Sequence, residues 1–246
     1  MAQVEKYCRE MHVVSTDSDL RGQMKPVAFL NMAQEAANVH ADYLGVGYDS
    51  ITSTRRAWVL ARMHTIFHRM PRWREKITLR SWHKRAEGLS YYRDFEVCDE
   101  QGARLISSTT TWLVMNIDTR RLVRQNDFGD EGLLGIDEDV IVEPAAKVVM
   151  PQGEAERVCE VTAAYSDIDI NGHVNNVNYT VWAMNAMPED VVLQRPLREI
   201  TVNYNAEIRC GERVEIFRMQ DAEHADRYYV EGRVEGRTTF VARLDF

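Results

Sequence analysis

The chain has 246 residues, of which 45% are hydrophobic and 28% charged, and a formal net charge of −8. That length suits one large domain or two small ones with a buried core, and the acidic balance gives no support for binding nucleic acid. No apolar run approaches the roughly 20 residues that span a bilayer, and Met1 to Arg9 lacks the apolar stretch of a secretory signal. Cys8, Cys98, Cys159 and Cys210 are far apart and form no CxxC pair. This argues against a zinc ribbon or a disulfide framework and suits a reducing compartment, so a cytoplasmic location is expected.

The first element is a short apolar strand that enters the loop Ser15–Gln23, which contains a D-x-D-x-x-G run. Pro26 suits the first turn of a helix, Val27, Leu30, Ala33, Ala37 and Tyr43 supply an apolar stripe, and Gly45 ends it. Four strands are expected next, at residues 57–68, 76–84, 91–98 and 105–116; the alternation is clearest in Ile77-Thr78-Leu79-Arg80-Ser81-Trp82. Eleven basic residues lie from Arg55 to Arg93, opposed only by Glu75 and Glu87 within that span and by Asp94 just after it. Such a segment either steers an acidic partner or is a solvated face whose charges pair elsewhere. Residues 125–155 are acidic and carry Gly129, Gly132, Gly135, Pro144 and Pro151. They read as a linker with a short helix near Asp130–Leu134, and a linker this long favours two subdomains.

The pattern then returns. Tyr165–His173 aligns without gaps on Ser15–Gln23 at an offset of 150 residues. Val177, Val181, Trp182 and Met184 give the second helix its stripe, Asn175 or Asn176 can cap its start, and Pro188 follows its end. Strands are expected at 199–207, 213–219, 227–234 and 238–246. A helix after one strand and then a run of strands indicates an α+β fold built from two copies of one unit. The domains would be 1–124, the linker 125–155, and 156–246.

The copies differ where chemistry would sit. Asp169, Asn171 and His173 stand at alternate positions just ahead of the second helix, so an extended loop can aim them to one side. A helix N-terminus adds backbone N–H groups and partial positive charge. These parts suit acyl transfer to water: N–H donors polarise a carbonyl and stabilise its oxyanion, and a carboxylate takes the proton of the water. In the first copy Asp19 persists, but Arg21 replaces Asn171 and Gln23 replaces His173. A second offset, of 137 residues, sets Glu75-Lys76-Ile77 on Glu212-Arg213-Val214 and Met70 opposite Glu207. The first copy therefore lacks three of the four polar groups, and the second is the candidate reactive half.

The segment Ser166–Trp182, with Asn171-Gly172-His173-Val174-Asn175-Asn176, resembles the N-x-H-V-N-N signature of acyl-acyl-carrier-protein thioesterases, the plant Fat-type family and its bacterial relatives. Trp58–Arg62 and Thr111–Leu122 extend the resemblance, which covers most of the chain in the same order. It implies a double hot-dog fold, two antiparallel sheets each wrapped around a central helix, with catalysis in the second repeat. It implies roles for Asp169, Asn171, His173 and Glu207, and an apolar acyl tunnel in the first repeat near Phe29, Met32, Trp58 and Met63. The implied activity is hydrolysis of fatty acyl-carrier-protein to free fatty acid, ending fatty acid synthesis, with an acyl-CoA thioesterase or a non-catalytic acyl-binding hot-dog as rivals. The implied partner is an acidic acyl carrier protein bearing a phosphopantetheine-linked chain; a homodimer is left open, and no cofactor, metal or nucleic acid is expected. Many plant members have a cysteine right after the glutamate, but here that position is Ile208, and Cys210, two residues on, would share the face of Ile208 if the strand continued. General-base hydrolysis is therefore expected over a thiol nucleophile, with the base either Asp169 or Glu207. His40, His64, His68 and His83 have no partner at metal-ligand spacing and receive no role.

Overall fold

The computed structural model describes residues 6–125 and 135–246. The chain divides into two compact units, 1–145 and 146–246. The expected helix near Asp130–Leu134 lies outside the described residues.

In the first unit, strand β1 (Tyr7–His12) and a 3-10 turn lead to helix α1 (Pro26–Tyr43) and a short helix α2 (Tyr48–Ser53). Strands β2 (Arg56–Phe67), β3 (Lys76–Glu87), β4 (Ser90–Asp99), β5 (Arg104–Asn116) and the two-residue β6 (Leu122–Val123) follow. The order β1-β3-β4-β5-β2 is antiparallel throughout, with β6 added beside β5. Helix α1 packs on β3 and β1. Its buried face is Ala28, Phe29, Leu30, Ala33, Ala36, Ala37 and His40. Leu30, Ala33 and Ala37 hold the expected stripe, but Val27 is half-buried and Tyr43 exposed. The buried face is centred on Phe29, Ala33, Ala36 and His40, one helical phase away from the expected ends, and it brings a histidine inside.

The second unit repeats the plan. Strand β7 (Glu156–Thr162) and a 3-10 turn lead to helices α3 (Asn176–Asn185) and α4 (Glu189–Gln194). Strands β8 (Glu199–Tyr204), β9 (Arg213–Gln220), β10 (Arg227–Val234) and β11 (Arg237–Asp245) pair antiparallel in the order β8-β11-β10-β9-β7. Helix α3 packs on β10 and β11 through Val177, Tyr179, Thr180, Trp182 and Ala183. Asn175 caps it, its side-chain oxygen accepting from Val177 N–H at 2.9 Å. One expectation fails: β8 stops at Tyr204, so Glu207 and Cys210 lie in the connection to β9 rather than on a strand.

The duplication is written into the hydrogen bonds of each unit. Asp19 N–H bonds to Gln23 O, Gly22 N–H to Asp19 O, Met24 N–H to Pro71 O and Gly211's counterpart Arg74 N–H to Val13 O. Asp169 N–H bonds to His173 O, Gly172 N–H to Asp169 O, Val174 N–H to Ile208 O and Gly211 N–H to Ala163 O. Both sequence offsets, 150 and 137, are therefore real structural equivalences. Gly22 and Gly172 have φ of 68° and 79°, the left-handed turn that a glycine adopts without strain.

Part of the connection is strapped to the first unit. Ile136 N–H donates to His83 O, Trp82 Nε1 to Glu138 O, and Lys84 Nζ to Ile141 O. Lys84 also pairs with Asp94, both almost fully buried, and with Asp139, while Val140 N–H donates to Asp94. Residues from 146 onward belong to the second unit, where Asn203 Nδ2 reaches Val148 O at 3.3 Å.

Candidate active site

The loop ahead of α3 is shaped by its own polar groups. Asp169 accepts from Asn171 N–H at 2.8 Å with one oxygen and from Asn171 Nδ2 at 3.3 Å with the other. A bridge between Ile168 and Val174 closes the loop, and Val174 N–H on Ile208 O ties it to the connection after β8. That tie brings His173 Nε2 to 3.3 Å from Glu207 Oε2, with side chains 26% and 32% exposed. The four expected residues therefore form two pairs, Asp169 with Asn171 and His173 with Glu207. The pairs depend on 205–212 leaving the sheet; on a continued strand Glu207 would follow the alternation of β8.

Two further residues hold this geometry and were not singled out from the sequence. Asn178 Nδ2 donates to Asp167 O at 3.1 Å, anchoring the start of the loop to the first turn of α3. The Tyr179 hydroxyl donates to Ala206 O at 3.3 Å, beside Glu207. The ring of Tyr179 packs edge-on against Tyr204 and Phe240, and burial, reinforced by the charge of Glu207, pushes its hydroxyl well above the usual tyrosine range. The signal was present: both residues sit within one helical turn of the Asn175 cap. The expected reserve of helix N–H donors is smaller than supposed, because Val177 N–H and Asn178 N–H both bond to Asn175.

The first unit has the same loop without the pairs. Asp19 accepts from Arg21 and Gln23 N–H at 2.8 and 2.9 Å, and Arg21 folds back on it at 2.9 Å. Met70, opposite Glu207 in the repeat, is buried.

The first unit instead holds a small cavity that opens to solvent. Ala37, Ala41, Val46, Trp58, Tyr91 and Trp112 form apolar walls, and His83 and Arg93 add polar ones. Trp58 stacks edge-on against Tyr91 with ring centres 5.0 Å apart, and its Nε1 donates to Val46 O. Of the four residues expected to line an acyl tunnel, Trp58 lines this cavity, whereas Phe29 and Met63 are buried core.

The basic segment is largely neutralised in place. Arg55 pairs with Asp118, Arg69 with Glu75, Lys76 with Glu10, Arg80 with Glu96, and Lys84 and Arg85 with Asp139. Most of these carboxylates come from outside the segment, which linear charge counting does not see. Among the described residues, no group of three His, Cys, Asp or Glu side chains is placed to hold a metal, and no helix is long and apolar enough to cross a membrane.

Comparison with known proteins follows this division. The model of the acyl-ACP thioesterase N-terminal domain matches residues 4–128, and that of the C-terminal domain matches residues 152–244. The oleoyl-acyl carrier protein thioesterase 2 of Arabidopsis thaliana is 28% identical over 75% of this chain and 55% of its own length. The palmitoyl-acyl carrier protein thioesterase of Gossypium hirsutum is 31% identical over 74% of this chain and 46% of its own. The chain thus spans about half the length of these curated relatives. The fold is that of an acyl-ACP thioesterase from Bacteroides thetaiotaomicron (TM-score 0.88, 23% identity, 98% of each chain covered). It is also that of the 12:0-ACP thioesterase from Umbellularia californica (TM-score 0.89, 22% identity, 98% and 97% covered). The architecture is a double hot-dog.

Proposed function

The chain belongs to the acyl-ACP thioesterase family, and from that premise we propose that it hydrolyses fatty acyl-carrier-protein thioesters to free fatty acid and holo-carrier protein. The observation that carries the reading is the His173–Glu207 pair at 3.3 Å beside the Asp169–Asn171 clamp; the counterpart loop of the first unit keeps a clamp, Asp19 with Arg21, but has Gln23 and Met70 in place of His173 and Glu207. Fold alone does not fix chemistry, and the asymmetric site is what supports this reading.

In this mechanism Glu207 is the general base and takes a proton from water as the oxygen attacks the thioester carbon. Asp169 is the weaker candidate, because both its oxygens are already engaged by Asn171. His173 holds the Glu207 carboxylate in line. Asn171, oriented by Asp169, uses its second amide N–H to hold the substrate carbonyl, whose oxygen becomes the oxyanion. Collapse of the tetrahedral intermediate breaks the C–S bond, and the phosphopantetheine thiolate recovers the proton from Glu207. Cys210, exposed in the turn before β9, takes no part. The first unit is the acyl-binding half, with its cavity receiving the chain, and the acidic carrier protein is the partner.

The test is thiol release from a ladder of acyl-carrier-protein substrates by the purified protein, with matched acyl-CoA substrates alongside. Turnover of the carrier-protein series supports the reading. Turnover of CoA thioesters alone replaces it with the acyl-CoA activity, and no turnover of either defeats it.

A further inference from the structure

Arg93 stands on β4 inside the first unit with 8% of its surface exposed. Its Nη1 donates to His40 Nδ1 at 2.9 Å and to Ser81 Oγ at 3.0 Å. Both partners are neutral, since a ring nitrogen that accepts carries no proton. Among the described residues Nε and Nη2 donate to nothing, and no carboxylate pairs with the guanidinium. Burial lowers Arg93 to about 10, which leaves it cationic at neutral pH. His83, its partner in the β3–β4 register, is pushed down to about 4 by burial and by the charge of Arg93, so it is neutral there.

The contrast with Lys84, one residue on, is informative. Lys84 is equally buried but pairs with Asp94 and Asp139 and donates to Ile141 O. A buried cation without a counter-ion is costly, and it persists where a ligand supplies the missing acceptor. Arg93 and His83 both line the cavity described above, whose other walls are apolar. A cavity with mostly apolar walls and a few convergent polar groups is the usual form of a small-ligand site, and the polar groups set specificity.

We propose that the acyl chain taken by this cavity carries an acceptor oxygen at its far end, as a hydroxyl or a carboxylate, and that Arg93 selects for it through Nε and Nη2. The inference rests on the cavity being the acyl-chain site of the proposed thioesterase. Arg93 is a specificity-determining residue here and takes no part in the bond-breaking step. A charge-assisted hydrogen bond in such a site is worth about 10- to 100-fold in discrimination.

The test compares kcat/KM for carrier-protein thioesters of one chain length that end in a methyl, a hydroxyl or a carboxylate. The oxygen-ended chains are expected to be favoured by about 10- to 100-fold. In Arg93→Met the ratio of oxygen-ended to methyl-ended kcat/KM should collapse toward one, and Arg93→Lys should keep part of the preference. A wild-type preference for the methyl-ended chain overturns the inference whether or not the variants fold, and leaves the thioesterase reading standing. If no thioester is turned over, Trp58 and Trp112 still report on the cavity. Their fluorescence is then titrated with a long-chain methyl ester and its ω-hydroxy counterpart. Tighter binding of the hydroxy ester, lost in Arg93→Lys or Arg93→Met, upholds the role of Arg93; equal binding overturns it.

Discussion

Replacing Glu207 by glutamine separates catalysis from stability, because the structure assigns very different magnitudes to the two. The His173–Glu207 pair is partly exposed, at 26% and 32% of the side chains, so solvent screening limits its contribution to folding to about 1 kcal/mol or less. For a chain of this size that is a fall of about 2–4 °C in Tm. Loss of a positioned general base costs about 100- to 10,000-fold in rate, equivalent to about 3–5 kcal/mol of barrier. Glu207→Gln should therefore fold with a near-native melting curve and lose at least about 100-fold in kcat, with KM changed far less. Because the pair acts as a unit, His173→Ala should lower kcat by more than about tenfold, yet add little on the Glu207→Gln background. Thiol release on carrier-protein substrate and thermal melting of the same preparations make the comparison. The assignment of Glu207 as base is refuted if the single variant keeps more than about a tenth of the activity, or if the two losses multiply in full.

Asn171→Ala should lower turnover by more than about tenfold with little effect on melting, since its amide is exposed and its fold contacts stay within the loop. Asn175→Ala removes the α3 cap and should cost about 1 kcal/mol, read as a Tm loss of about 2–4 °C, with activity falling as the loop loosens. Cys210→Ser should leave kcat unchanged; abolition of activity would restore a thiol nucleophile. Stability should fall between pH 6.5 and pH 4, before most carboxylates titrate. His83 is lowered to about 4 when folded, so the unfolded chain binds the extra proton, and the stabilising contribution is complete above 6.5 and lost as pH drops toward 4. The size is about 3 kcal/mol at the lower limit, with His68 shifting in the same direction. Urea melts of wild type and His83→Gln at pH 7 and pH 4.5 check it, the variant losing most of the His83 share.

Much of the architecture is legible in the linear sequence because its signals are local. Pro26, Asn175 and the alternation of β3 act over one turn or one strand, and the strand positions agree with the structure to within a few residues. The repeat is legible for the same reason: the loop Ser15–Gln23 and its counterpart Tyr165–His173 are each closed by their own Asp and Gly. The asymmetry of Arg21, Gln23 and Met70 against Asn171, His173 and Glu207 marks the second half as the candidate reactive half from the sequence alone.

What linear reading misplaced depends on where the chain turns in space. Glu207 reads as a strand residue, yet β8 ends three residues earlier, and only the long-range Val174–Ile208 bond carries its carboxylate to His173. The basic run between Arg55 and Arg93 reads as a charged surface, yet Glu10, Glu96, Asp118 and Asp139 meet it after folding. His40, His83 and Arg93 carry no local signature at all; they converge because a helix face and two neighbouring strands enclose one cavity. Local conformational preference is encoded over a few residues and survives in the sequence. Desolvation and ion pairing depend on groups distant along the chain, so charge state and neighbourhood were decided only by the tertiary structure.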